Sequence, residues 1–529
     1  MAGKNILLIE PGYKNKYPPL GLMKIAQYHG PQGKRDNVKF IKGPDKSVLT
    51  TYWDRIYVTT LFSFEWKKIS EAIDFALTAA NGHSNSVFVG GIAASLMPDA
   101  FLQENRWAGV RFIKGLLNQP PAVSLQLNQF EEELYSEDVT GQPIEDQIPD
   151  YSILQQVDYK YPVHDAYFAY ASRGCVRKCS FCGVPKLEGD LYDTPSLTTI
   201  VQGIEKLYGP KKDLVLMDNN IVASTRFKEI MAEIRDLGFA RGAKLKRERS
   251  SVQRRVDFNQ GVDARILCKT PMFLQELASV CTDPLRIAFD HWGFKDQYEQ
   301  SIRYAHEVGL VSLSNYMLYN FNDTPQDLYQ RMWLNIQLNE ELNIRIFSFP
   351  MRYQPTDMKD RSHVGKNWNK YYLRSMQIIL HATHGIVSGA PSYFRRAFGA
   401  TPAEFTQLLM KPHKFIFNRD WFDELEGRPE LEQYNQEIVK LSEADRVDLT
   451  RALAGFASKG VYDTAKASIS NSRVARIFNF YKPLEPEQEA AIWKRQKELR
   501  AVVPAPIPVP DDQRVEDAGL ELDPVLEKN

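Results

Sequence analysis

Along the opening of the chain, short apolar runs alternate with stretches whose apolar residues recur every third and fourth place. NILLIEP (5–11), VKFIKG (38–43), RIYVTTLFSF (55–64), SVFVGGIAAS (86–95) and GVRFIKG (109–115) read as strands, and GLMKIAQYH and EWKKISEAIDFALTAANG between them read as amphipathic helices. Strand and helix in alternation predict a parallel sheet covered on both faces, here a five-stranded doubly wound α/β domain over residues 1–118. Such a sheet binds ligands beyond the carboxyl ends of its strands. That crevice would be lined by Pro11, Gly12 and Tyr13, by Leu61, Phe62 and Ser63, and by Gly90, Gly91 and Ile92.

Periodicity weakens over 119–162, where Gln, Glu, Asp and Pro accumulate as in a surface linker. A second alternation follows. AYFAYASRG (166–174), DLVLMDNN (213–220), FNQGVDARIL (258–267), PLRIAFDHW (284–292), VSLSNYMLYNF (311–321) and IRIFSFPMRY (344–353) read as strands, with helical patterns between successive runs. Six such units predict a curved parallel sheet over 163–358, an incomplete relative of the eight-fold barrel, with reactive groups on the loops after strand ends. Residues 359–500 are rich in helical patterns and aromatic side chains, and 501–529 form a proline-rich tail.

Composition narrows the class. The 529 residues are 43% hydrophobic and 25% charged, with no apolar run of membrane-spanning length, so a soluble globular protein is expected. The start, MAGKNILLIEPGY, has too short an apolar run for a signal peptide. A formal net charge of zero argues against a dominant attraction to nucleic acid or acidic lipid. Five cysteines do not make a secreted disulfide framework, and a reducing cytoplasm fits them better.

Three of those cysteines, Cys175, Cys179 and Cys182, fall within eight positions of the segment ASRGCVRKCSFCGVP, immediately after the first strand of the second repeat. Structural zinc takes four protein ligands, commonly in two separated pairs, and no second pair exists here. Cys268 and Cys281 read as small core residues. A four-iron cluster held by three cysteines leaves one iron open to an exogenous ligand.

With Phe181 before the last cysteine, C-x-x-x-C-x-x-C on this loop resembles the signature of the radical S-adenosylmethionine enzymes, over residues 165–355. The resemblance implies a [4Fe-4S] cluster on Cys175, Cys179 and Cys182 and S-adenosylmethionine on the open iron. It also implies reductive cleavage to a 5'-deoxyadenosyl radical, with the electron coming from an external donor such as flavodoxin or ferredoxin. Asp218, Asn219 and Asn220 stand where the family binds the methionine amino group, although they read equally well as a helix cap. Gly183 would let the loop approach the cosubstrate. Arg265 and Asp263, Asp290 and His291, and Asn320 and Asn322 would face the same mouth, with Arg352 and Tyr353 on the substrate side.

IEPGYKNKYPPLGLMKIAQY is similar to the opening of the cobalamin-binding domain that precedes many such barrels, and VFVGGIAAS to its fourth strand and turn. The fold class implied is a flavodoxin-like sheet, a partial (β/α)6 barrel and a helical C-terminal region, with cobalamin as an optional cofactor. The D-x-H-x-x-G run that supplies cobalt with a histidine is missing, since only His29 and His83 precede residue 100. No cysteine lies before Cys175 or after Cys281, so the second clusters of methylthiotransferases and of peptide-modifying members have no ligands here. His381 and His384, three apart, read as core or surface residues rather than a metal pair. RGAKLKRERSSVQRR (241–255), with seven basic residues against one acidic, reads as a solvated insertion, with RNA phosphates as the alternative. The expected activity is radical chemistry on a small molecule or a peptide, with methyl transfer if cobalamin is bound. An RNA-modifying enzyme and a noncatalytic iron–sulfur sensor or scaffold are the alternatives.

Overall fold

Five parallel strands build the first sheet: β1 (Asn5–Glu10), β2 (Asn37–Lys42), β3 (Arg55–Thr60), β4 (Val87–Gly91) and β5 (Arg111–Phe112), in the order β2-β1-β3-β4-β5. Leu7 pairs with Lys39 on one side and Ile56 on the other. Alternation along each strand then sends Leu7, Ile9, Ile56, Val58, Val87 and Val89 into one core with Ile69, Ile73 and Ala76 of α1 (Trp66–Ala79). The strand order is flavodoxin-like and reverses between β1 and β3, the place where such sheets leave a ligand crevice. The runs 55–64 and 86–95 are shorter strands than expected. Beyond Thr60 the chain turns, and at Gly91 (φ +104°) it enters the short helix α2 (Ile92–Leu96). A Cβ on Gly91 would lie 2.5 Å from the Thr60 carbonyl oxygen, so only glycine admits this approach.

The coordinates are a computed structural model describing residues 3–117, 143–383, 385–387, 389–459 and 461–500. Most of the expected linker, the proline-rich tail and His384 lie outside the described residues. Two units emerge, one of Met1–Ala288, Phe294–Asn315 and Tyr353–His363, the other of Phe289–Gly293, Tyr316–Arg352 and Val364–Asn529.

In the first unit β6 (Ala166–Ala169), β7 (Asp213–Leu216) and β8 (Arg255–Phe258) run parallel in the order β8-β7-β6. Parallel bridges Val256–Thr282 and Val262–Ile287 carry the curve on to β9 (Leu285–Arg286), which pairs with β10 (Ser312–Tyr319) through Leu285–Leu313 and Arg286–Ser314. The sixth strand, β11 (Arg345–Arg352), neighbours β10. Helices Leu197–Tyr208, Phe227–Ile234, Ala264–Lys269 and Lys295–Glu307 lie between successive strands of the first unit, and Pro325–Leu342 precedes β11 in the second. The third strand is displaced from expectation, Arg255–Phe258 rather than 258–267, and the fourth, Leu285–Arg286, is much shorter than 284–292. The chain turns at Gly261 (φ +83°), and Asp263 then caps helix Ala264–Lys269, so Arg265 sits in a first helical turn rather than at a strand end.

The run 241–255 forms an antiparallel hairpin, Lys244–Arg247 with Ser250–Gln253. Lys244, Lys246 and Arg249 are exposed, whereas Arg254 is buried over Phe239 and donates to the carbonyls of Lys211, Leu237 and Gly238. Because the hairpin leads into the start of β8, its charges stand at the amino end of the barrel strands. The cysteine loop leaves the opposite end.

The second unit is helical from Lys370–Ala382 onward, packed on aromatic side chains that include Tyr371, Phe394, Phe405, Phe415, Tyr434 and Tyr481. His381 is exposed and stacks on Phe417. No described helix is long and apolar enough to cross a membrane.

Candidate functional site

The cysteine loop is anchored at both ends before any cofactor is considered. Gly174 (φ +73°) begins it so close to the returning chain that a Cβ would lie 2.2 Å from the Asp190 carbonyl oxygen. Glu188, on the far side of the loop, accepts from Gly174 N and from Asn219 Nδ2, both at 2.8 Å, and pairs with buried Arg173. Arg173 also pairs with Glu145 and stacks on Tyr170. The loop thus has a buried ionic floor. Above it, Arg177 N donates to Cys175 Sγ at 3.3 Å and Val184 N to Cys182 Sγ at 3.4 Å, so backbone donors orient two of the three sulfurs. Among the described residues no three His, Cys, Asp or Glu side chains gather to hold one metal ion.

The three residues after β7 divide their tasks. Asp218, 4% exposed, accepts from Ala171 N, Ser172 N and Ser172 Oγ and so fixes the turn into the loop; burial, outweighing those bonds, raises its pKa to about 6. Asn219 goes to Glu188. Asn220, also 4% exposed, points Nδ2 at Cys175 Sγ (3.8 Å) and leaves Oδ1 buried with no hydrogen-bond partner. A buried unpaired acceptor beside a cysteine fits a donor brought by a ligand.

From the third crossover, Asp263 accepts Arg265 N and Nε on one oxygen and Arg265 Nη2 and Arg177 Nε on the other, at 2.8 to 2.9 Å. These bonds outweigh burial and hold the Asp263 carboxyl below its usual range. For Arg265, burial opposes the charge, but the Asp263 carboxylate, and after it the Cys179 charge, raise its pKa. Gly183 packs so tightly that a Cβ would meet Leu96 Cδ1 of α2 at 2.9 Å and Thr356 Cγ2 at 3.5 Å.

At the first sheet's carboxyl edge Gly12 faces open space, and Phe62 stacks on Phe64 and meets Tyr13 edge-on. Neither histidine belongs to that edge. His29 is fully buried between Asp36 Oδ2 (2.7 Å) and Tyr57 Oη (2.9 Å), and burial lowers its pKa to about 4. His83 is exposed in the turn entering β4.

The fold has a solved counterpart. OxsB, a cobalamin-dependent S-adenosylmethionine radical enzyme solved with aqua-cobalamin bound, aligns with a TM-score of 0.50 at 13% identity, over 90% of this chain and 84% of that one. The fold is that of the cobalamin-dependent radical S-adenosylmethionine enzymes. TsrM from Kitasatospora setae, a radical S-adenosylmethionine methyltransferase solved with tryptophan substrate and a cosubstrate analogue, aligns at a TM-score of 0.45 and 13% identity, over 78% of this chain and 90% of that one. In sequence, the ribosomal protein uS12 methylthiotransferase RimO of Chlorobium phaeobacteroides (strain BS1) is 24% identical over 224 residues, 39% of this chain and 43% of the relative. The chain therefore spans less than half of that relative's length. No protein-family model matches the chain.

Within this radical S-adenosylmethionine fold, Cys175, Cys179, Phe181, Cys182, Gly183, Asp218, Asn219, Asn220, Asp263 and Arg265 all lie in the first unit. Asp290, His291, Asn320 and Asn322 lie in the second, where Asn320 Oδ1 is taken up by Gly365 N and the Asn322 carbonyl by Asn367. Arg352 ends β11 in the second unit, and Tyr353 begins the stretch Tyr353–His363 in the first, edge-on to His363. Sequence reading missed Glu188 and Arg177. Arg177 was visible as a charge between two cysteines, whereas nothing local marks Glu188.

Proposed function

We propose that this chain is a radical S-adenosylmethionine enzyme acting on a small-molecule or peptide substrate, with cobalamin-dependent methyl transfer as its outcome. The observation that carries the reading is the anchored loop of Cys175, Cys179 and Cys182 with the unpaired Asn220 Oδ1 beside Cys175. A four-iron cluster takes each thiolate on a different iron, so its cysteines need not meet at one point as ligands of a single ion must. When bound, the cluster supplies the electron that cleaves the sulfonium of S-adenosylmethionine to a 5'-deoxyadenosyl radical, and cobalamin supplies a methyl carrier.

The chain's own residues do the rest. Cys175, Cys179 and Cys182 would hold the cluster, backbone N–H groups of Arg177 and Val184 would orient two of its sulfurs, and Asn220 Oδ1 would be free to accept from the cosubstrate's amino group. Phe181 and Gly183 would lie on the cosubstrate's side of the loop, Gly183 seated against Leu96, and Asp218 keeps the loop in register. Gly12, Tyr13, Leu61 and Phe62 would form the cobalamin crevice, with no histidine from the sheet for cobalt. An external low-potential protein such as flavodoxin or ferredoxin would supply the electron. The expected division into residues 1–118, 163–358 and 359–500 is proposed on the same footing, and so is a cytoplasmic location, which a reduced cluster favours.

The test is anaerobic. The protein is reconstituted with iron and sulfide, reduced, and given S-adenosylmethionine with and without cobalamin, and 5'-deoxyadenosine and S-adenosylhomocysteine are quantified. Deoxyadenosine from the parent but not from Cys179→Ala, with S-adenosylhomocysteine only when cobalamin is present, is the expected result. A fully loaded protein yielding neither product, even with candidate substrates, would sink the reading.

A further inference from the structure

Glu188 reaches further than closing the cysteine loop requires. Backbone pairing already joins the two ends of that loop: Ser172 and Arg173 pair antiparallel with Asp193 and Tyr192, and Cys175 N donates to the Gly189 carbonyl at 3.4 Å. Glu188 Oε2 adds bonds of another kind, accepting from Gly174 N and from Asn219 Nδ2, both at 2.8 Å. The first stays within the loop, whereas the second crosses to the turn after β7. Behind Glu188 stands a file of alternating charge. Arg173 Nε lies 3.3 Å from Glu188 Oε2, Arg173 Nη1 3.4 Å from Glu145 Oε1, and Glu145 Oε1 2.7 Å from Lys24 Nζ of the helix Leu20–His29. None of these four side chains is more than 14% exposed, and charges so far out of water are little screened, so the file holds Glu188 in one place. Three consecutive residues after β7 thus meet the cysteine segment: Asp218 at Ala171 and Ser172, Asn219 at Glu188, and Asn220 at Cys175 Sγ.

We infer that Glu188 is a positioning residue for the cosubstrate. Asp218 fixes where the turn after β7 begins, and Glu188, by holding the Asn219 amide, fixes where its next residue comes to lie. That residue is Asn220, whose buried Oδ1 has no partner and whose Nδ2 stands 3.8 Å from Cys175 Sγ. Glu188 touches neither cluster nor cosubstrate in this role; it acts through Asn219 and Asn220. Losing it displaces an acceptor but removes no cysteine, so the cost falls on cosubstrate affinity rather than on iron. Partners that orient a ligand from behind are worth about tenfold or more in binding. The inference rests on the proposed function, since it presumes S-adenosylmethionine bound beside a cluster on these cysteines.

The experiment compares the parent with Glu188→Gln, Asn219→Asp and the double variant after anaerobic reconstitution. Iron content is measured, and S-adenosylmethionine affinity is read by equilibrium dialysis with the cluster oxidised, so that no cleavage occurs. Glu188→Gln turns an amide donor toward the Asn219 donor, and Asn219→Asp sets two carboxylates against each other; together they exchange donor and acceptor and restore the contact. All four proteins are expected to hold iron, with each single variant binding S-adenosylmethionine about tenfold more weakly and the double variant regaining most of the loss. Electron paramagnetic resonance of the reduced cluster gives a second readout. The change that S-adenosylmethionine causes in the parent signal should be missing from the single variants at the same concentration and return in the double. Parent-like affinity in both loaded single variants overturns the inference. So does a double variant that binds no better than Asn219→Asp, the result expected if Asn219 touched the cosubstrate directly. Should Glu188→Gln alone take up no iron, that comparison of the double variant with Asn219→Asp decides; if both proteins carrying Glu188→Gln stay empty, Glu188 builds the loop itself and the inference falls. A parent that takes up no iron, or that binds no S-adenosylmethionine when loaded, overturns the proposed function and this inference together, which separates that failure from one confined to Glu188.

Discussion

The two parallel sheets of the first unit present carboxyl edges of opposite character. At the first, Glu10 ends β1 almost wholly buried and fully matched: Oε1 accepts from Asn15 Nδ2 at 2.8 Å, and Oε2 from Lys42 Nζ at 2.8 Å and from Tyr161 Oη. Lys42 also donates to Asn15 Oδ1, and Tyr159 to the Asn15 carbonyl. Burial and then the Glu10 charge raise the Tyr161 pKa, so it stays a donor. At the barrel edge, by contrast, Asn220 is also buried but its Oδ1 has no partner, and the Cys175 sulfur beside it receives weak N–H contacts. A polar group buried and paired holds a fold together. One buried and left unpaired is tolerated only where something else completes it.

That contrast can be broken most forcefully at Glu10. Glu10→Ala leaves Lys42 buried without its carboxylate, and a loss of about 3–5 kcal/mol is expected in urea unfolding of the N-terminal region. A loss under about 1 kcal/mol would mean that the network is not what closes this edge. His29 sharpens the comparison through pH. Its folded pKa of about 4 lies below the unfolded value of about 6.5, so the unfolded chain binds the extra proton between those values. Stability from this residue is complete above pH 6.5 and is lost as pH falls toward 4, by about 3 kcal/mol at most. Unfolding curves across that range should show the slope in the parent and not in His29→Gln. The smallest effect belongs to the barrel edge: Asn220→Ala removes an acceptor that already lacks a partner, so stability without cofactors should change by less than about 1 kcal/mol. A loss of 2 kcal/mol or more would show Asn220 to be a structural group like Glu10.

Much of this was legible in the chain. The alternation of apolar runs located the strands of both sheets to within a few residues, because a strand buried on both faces must be continuously apolar. It failed at 258–267, where Gly261 and Asp263 turn the chain into a helix while apolar Val262, Ile266 and Leu267 keep the density of a strand. Cys175, Cys179 and Cys182 were legible because three ligands on one loop need no help from elsewhere. Arg265 was picked out for its place near a strand end, but what it faces depends on Asp263, Arg177 and Phe294 together.

By itself, then, the sequence determined the order of strands and helices, the parallel architecture that follows from it, and the one loop on which the sulfur is gathered. These are local properties, set by periodicity and by residues a few positions apart. Only the tertiary structure decided that Asp218 fixes a turn while Asn220 keeps an open acceptor, that Glu188 and Arg173 form the floor of the loop, and that the basic hairpin stands at the far end of the strands from the cysteines. Each of those outcomes depends on which distant groups reach a polar atom first, and pairing in a buried site is settled by geometry rather than by composition.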